Sequence, residues 1–126
     1  MALEIVDTKK APGAVGPYSQ AIKAGNMIFT SGQLHINPEN GELIKGDIQA
    51  QTRQSLENVK AILEEAGATL EDVVKVTIFM TDISKFSLLN QTYGEYFSQH
   101  KPARSCVEVK GLPLGGEVEI EVVAII

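Results

Sequence analysis

The sequence predicts an α+β fold, a mixed sheet with two helices packed on one of its faces. Three observations carry this. Two stretches, 47–66 and 84–100, repeat apolar residues at three- and four-residue steps. Six others are short and rich in apolar and β-branched residues. Turn signals built from Gly, Pro and Asn separate them, giving the order β-β-β-α-β-α-β-β. Helices set between strands cover a sheet, and 126 residues suffice for one core without metal or disulfide staples.

Taken in order, "LEIVD" (3–7) is a short strand and "KKAPGAVGP" (9–17) a loop punctuated by two Pro and two Gly. "YSQAIKAGNMIFTSGQL" (18–34) divides into two strands around Ala24-Gly25-Asn26, where a Gly-Asn turn fits. A second turn follows at 37–44, on Asn37-Pro38 and Asn40-Gly41. From Asp47 to Ala66 the period becomes helical, with Leu56, Val59, Ile62, Leu63 and Ala66 on one face. Asp47 suits the N-cap, and Gly67 stands where a left-handed C-cap belongs.

"DVVKVTIFMTD" (72–82) reads as a strand in which Val74, Val76, Ile78 and Met80 form a wholly apolar face. Residues 84–100 form the second helix, with Phe86, Leu89, Tyr93, Tyr96 and Phe97 as its stripe. Pro102 stops the helix before a strand at 103–109. After the loop "GLPLGG" (111–116) comes a final strand, 117–126. There Glu117, Glu119, Glu121, Val123 and Ile125 share one side, and Val118, Ile120, Val122 and Ala124 the side under the helices. No repeat or linker divides residues 1–126, so a single domain is expected.

Sixteen acidic against eleven basic residues leave a net charge of −5. Such a chain repels phosphate backbones overall and lowers the prospect of non-specific nucleic-acid binding. The single cysteine forbids an intrachain disulfide, which fits a reducing, cytoplasmic setting. The N-terminus lacks the pattern of a signal peptide, and no apolar run is long enough to span a bilayer. His35 and His100 have no partners at metal-ligand spacing, so no metal is expected. The glycines follow no phosphate-loop or dinucleotide pattern, and no cofactor is expected.

One stretch resists a purely structural account. In "PARSCVEV" (102–109), Val107 and Val109 suit a buried strand, yet Arg104 lies in the same run. Burying a guanidinium costs free energy unless an anion meets it. Arg104, Cys106 and Glu108 share one side of this strand. If it pairs antiparallel with the last strand across "GLPLGG", Arg104 and one of the glutamates fall on the same face. From spacing alone, a structural Arg–Glu pair or a charged edge strand outranks an active site.

Several segments in order resemble the Rid family, the reactive intermediate deaminases also called the YjgF family. They are "APGAVGPYSQA" (11–21), "TSGQLHINPENGEL" (30–43), "QTRQSLENVKAILEEAGA" (51–68), "VVKVTIFMTDISKF" (73–86), "LNQTYGEYF" (89–97) and "PARSCVEV". The resemblance implies a chorismate-mutase-like fold in a homotrimeric barrel, with sites between subunits. It implies hydrolysis of enamine and imine products of pyridoxal-phosphate enzymes, such as 2-aminoacrylate, to 2-keto acids and ammonia. Arg104 then grips the substrate carboxylate, Glu121 orients the attacking water, and the Cys106 amide helps hold the carboxylate. Tyr18, Ser31, Gly32 and Asn90 line the pocket. His35 departs from the family, where many relatives carry proline or another small or apolar residue. Two other functions stay open: a non-catalytic trimer that binds small molecules, and an endoribonuclease or translation inhibitor.

Overall fold

The computed structural model describes residues 2–126. Its strands are β1 (Leu3–Val6), β2 (Ala21–Ala24), β3 (Met27–Thr30), β4 (Gln33–Leu34), β5 (Val73–Met80), β6 (Ala103–Glu108) and β7 (Val118–Ile125). The helices are α1 (Ile48–Glu65) and α2 (Phe86–Tyr96). Along the sheet the strands run β1-β2-β3-β7-β5-β6, with β4 also on β7. Only β5 and β6 pair in parallel. Among the described residues no helix is long and apolar enough to cross a membrane.

Local chemistry explains most boundaries. The side chain of Asp47 accepts from the Ala50 amide and starts α1, and Gly67 ends it with φ 85°. Gly25, at φ 62°, turns β2 into β3 with Ala24 opposite Met27. The expected strand through 27–34 is broken at Ser31-Gly32, leaving β4 as a separate piece against β7. The second helix is shorter than its 84–100 pattern: a 3-10 turn precedes it, and its last helical residue is Tyr96.

Val76, Ile78 and Met80 of β5 and Val118, Ile120, Val122 and Ala124 of β7 form the floor beneath α1 and α2. Leu56, Val59, Ile62, Leu63 and Leu89 close it from above, all fully buried. Each such side chain contributes about 1.5–3 kcal/mol by leaving water. One alternation fails: Val73 is buried and Val74 exposed, because the β5–β7 register shifts between Val73 and Lys75. The extra residue reverses the phase at the start of the strand.

β6 and β7 are not neighbours; β5 lies between them. Arg104 is opposite Val76 and Cys106 opposite Ile78, so both stand on the helix side. Glu121 is opposite Thr77 and Glu119 opposite Phe79, which places both glutamates on the uncovered side. The common face for Arg104 and the glutamates is therefore absent within one chain. A parallel β5–β6 pair requires a crossover, and α2 supplies it.

Candidate active site

Beside β4, on the uncovered side, a cavity of about 450 Å³ opens between two loops. Its polar end is made by Ser31, Gly32 and Glu119, with Tyr18 at the rim; Val15, Leu34, Pro113 and Leu114 form an apolar wall. A larger groove, about 660 Å³, crosses the outside of α1 past Lys10, Glu57, Lys60 and Glu64. Its charges are exposed and of both signs, so nothing converges there.

The loop over the cavity is held by Gln20, a buried amide. Its Oε1 accepts from the Thr8 amide at 2.7 Å, and its Nε2 donates to the Thr8 and Pro12 carbonyls at 3.0 and 2.8 Å. Ser31 Oγ donates to the Ser19 carbonyl at 2.6 Å, while the Ser31 amide donates to Gln20. These bonds fix the "GPYSQ" segment against the break between β3 and β4. Gly32 meets Glu119 so closely that a Cβ there would lie 2.6 Å from the carboxylate carbon. Burial pushes the Glu119 carboxyl above the usual carboxylate range, and the charge of Glu121 adds to the effect.

On the other side of the sheet is a second group. Arg104 Nη1 donates to Asn90 Oδ1 of α2 at 2.7 Å. The guanidinium lies 4.6 Å from the Tyr93 ring centre and 5.3 Å from that of Phe86. Such stacking contributes about 0.5–2 kcal/mol and keeps the cation out of bulk water. Among the described residues the sole ion pair is Arg53–Glu95 on the helices, so Arg104 has no carboxylate of its own chain. It is held by Asn90 and desolvated on one side by the two rings.

Cys106 is half-buried two residues along. Burial pushes its thiol up, with the Arg104 charge opposing, so it is a thiol rather than a nucleophilic thiolate near neutral pH. The Val109 amide donates to Met80 of β5. Alternation then turns the Cys106 amide the other way, to the free edge of the sheet.

The sequence-derived candidates thus fall into two groups. Tyr18, Ser31 and Gly32 meet at the cavity; Arg104, Asn90 and Cys106 meet at the β6 edge. Glu121 lies on the uncovered face but outside the cavity, one pleat repeat from Glu119, which lines it. Gln20 escaped the sequence reading, which passed over Glu119 in favour of Glu121. Periodicity treats Glu119 and Glu121 alike, and the partners of Gln20 lie eight to twelve residues away in an irregular loop.

The sequence pattern of the family described as endoribonuclease L-PSP matches residues 8–126. A RutC family protein of Pyrococcus abyssi is 56% identical, over 98% of both chains. The 2-iminobutanoate/2-iminopropanoate deaminase of Escherichia coli is 50% identical, over 95% of each. Among solved structures, a Rid-family protein of Yersinia pestis superposes with a TM-score of 0.97 at 49% identity, covering 99% of this chain and 100% of that one.

Proposed function

The chain belongs to the endoribonuclease L-PSP family, in which the Rid deaminases fall, and from that premise we propose that it hydrolyses 2-imino acids to 2-keto acids and ammonia. The four-carbon and three-carbon substrates named for the Escherichia coli relative are the first to test. The observation that carries this reading is Arg104, a stacked and half-desolvated guanidinium without a carboxylate in its own chain. A small carboxylate is the anion that its planar fork suits best.

The two groups belong to one site when copies of the chain assemble. The uncovered face supports a homotrimer, since Ile5, Phe29, Val107 and Ile125 stand there 72%, 42%, 43% and 40% exposed. An apolar surface of that kind calls for a partner, and a second copy brings its own cavity to the β6 edge. Arg104 and the Cys106 amide of one subunit then hold the substrate carboxylate, with Asn90 fixing the arginine. Tyr18, Ser31, Gly32 and Glu119 of the neighbour enclose the imine carbon.

In the reaction, water adds to the carbon of the protonated C=N bond. Glu119 takes a proton from that water and returns it to nitrogen; the C–N bond of the carbinolamine breaks as its hydroxyl gives its proton to Glu119, and the departing ammonia takes up that proton and leaves the keto acid. A carboxyl with raised proton affinity suits a group that both accepts and returns a proton. Glu121 acts through Glu119, its charge sustaining that affinity. Positioning supplies much of the rate, on the order of 7 kcal/mol or more in favourable cases.

The direct test couples the protein to a threonine dehydratase and follows 2-ketobutyrate. Wild type accelerates its release and R104A does not; equal rates for the two would refute the reading. The family description favours one alternative, RNA cleavage. Against it stands the net charge of −5. Cleavage that co-purifies with the protein and vanishes in R104A would restore it.

A further inference from the structure

His35 belongs to neither group of site residues, yet it is built into the wall of the cavity. It follows β4 and is 2% exposed. Leu34 and Ile36 on either side line the cavity, while the His35 ring turns the other way, toward Gly115, Glu117 and Gln51. Asn58 of α1 donates to the carbonyls of both neighbours, at 3.2 and 2.9 Å, and fixes the backbone around it.

Both ring nitrogens are engaged. Nδ1 lies 3.1 Å from the Ile44 carbonyl and Nε2 lies 3.0 Å from the Glu117 amide nitrogen. A carbonyl can only accept and an amide N–H can only donate. The ring is therefore neutral, with its proton on Nδ1 and its lone pair on Nε2.

What that lone pair holds is a loop with little support of its own. Residues 112–117 carry Pro113 and Leu114 into the cavity wall. Inside the loop are two bonds only, Gly115 to Leu112 at 3.3 Å and Gly116 to Pro113 at 3.0 Å. Leu114 sits at φ 62°, a region that disfavours a bulky side chain. Gly116 packs so tightly on Leu34 that a Cβ would lie 2.8 Å from its Cδ2. The anchors beyond these all fall on Glu117: its carbonyl accepts from Thr81, its carboxylate accepts from Gln51, and its amide donates to His35.

We propose that His35 is a positioning residue: by accepting the Glu117 amide it holds Pro113 and Leu114 in the cavity wall and so sets substrate affinity. Protonation would place N–H against N–H and release the loop. The charged groups beside the ring are Glu117, whose carboxylate takes the Gln51 amide, and Lys45. Burial lowers the proton affinity of His35, with the Ile44 carbonyl and Glu117 opposing, so release belongs below the ordinary histidine range.

Three variants of the full chain separate the possibilities. H35N keeps a donor for Ile44 and deletes the acceptor for Glu117, H35Q places an oxygen near the Nε2 position, and H35F serves if H35N fails to fold. Nitrogen NMR of the wild-type ring reads the tautomer directly, and amide hydrogen exchange, corrected for intrinsic rates, reads the loop. Exchange at Glu117 should quicken about tenfold in H35N and stay near wild type in H35Q. In wild type it should quicken as the ring titrates, and in H35Q it should not. A proton on Nε2 at neutral pH, or unchanged protection in H35N and H35F, overturns the proposal.

The kinetic arm rests on the imine-deaminase reading. KM should rise roughly tenfold in H35N with kcat nearly unchanged, and H35Q should restore it. If wild type turns over no imine while the exchange pattern holds, the deaminase reading fails and the role of His35 in the wall stands.

Discussion

Gly32 offers the sharpest probe of the proposed chemistry, because a single methyl group there has a calculable consequence. A Cβ at position 32 would meet the Glu119 side chain at 2.6 Å from Cδ and 2.8 Å from Cγ. Ordinary contact begins at 3.4 Å and the carboxylate oxygen Oε1 lies nearer still than Cδ, so the carboxylate must retreat by about 1 Å in G32A. Glu119 stands at the edge of a cavity and has room to rotate, which keeps the folding cost at the low end of the 1–3 kcal/mol typical of overpacking. Catalysis has no such latitude, since a displacement near 1 Å can cost on the order of 100-fold. G32A should therefore lose roughly two orders of magnitude in kcat while urea denaturation shifts little. Stopped-flow or coupled assay of 2-ketobutyrate formation gives the rate, and a crystal structure of G32A gives the displacement. Should kcat survive with Glu119 visibly moved, Glu119 does not handle the water.

Other consequences follow from the same geometry. R104K keeps the charge and loses the fork, so kcat/KM should drop about 10- to 100-fold, the worth of one charge-assisted hydrogen bond; steady-state kinetics at fixed ionic strength measures it. Glu119 must be ionised to take a proton, so kcat/KM should climb with pH through a value above the usual carboxylate range. In E121Q that rise should move to lower pH, because the neighbouring negative charge is gone, and an unmoved profile would remove Glu121 from any role. Q20A strips partners from buried backbone groups of Thr8 and Pro12 and should cost roughly 1–3 kcal/mol in equilibrium unfolding. Charging the uncovered face with F29E should shift gel filtration from trimer to monomer and abolish turnover with Arg104 intact.

What the sequence determined alone are the elements whose signals are local. α1 carries its cap at Asp47, its stop at Gly67 and its apolar period between them, and the structure keeps all three. The floor side of β7 is legible for the same reason, since alternation is a property of consecutive residues. Order across the sheet is different. Nothing local to 103–109 or 117–126 says that β5 runs between them, and that one fact sends Arg104 and the glutamates to opposite faces.

Periodicity left the choice between Glu119 and Glu121 equally open, and the resemblance took Glu121. They have the same parity on the same strand, about 6.6 Å apart, and only the pairing of Leu34 with Glu119 puts one in the cavity and leaves the other outside. Gln20 and His35 show the limit most plainly. Each is a buried polar residue, and the backbone groups that make it tolerable come from loops that only the folded chain brings near. Periodicity reports which way a side chain points; what waits there is set by register and crossover, which depend on contacts distant in sequence.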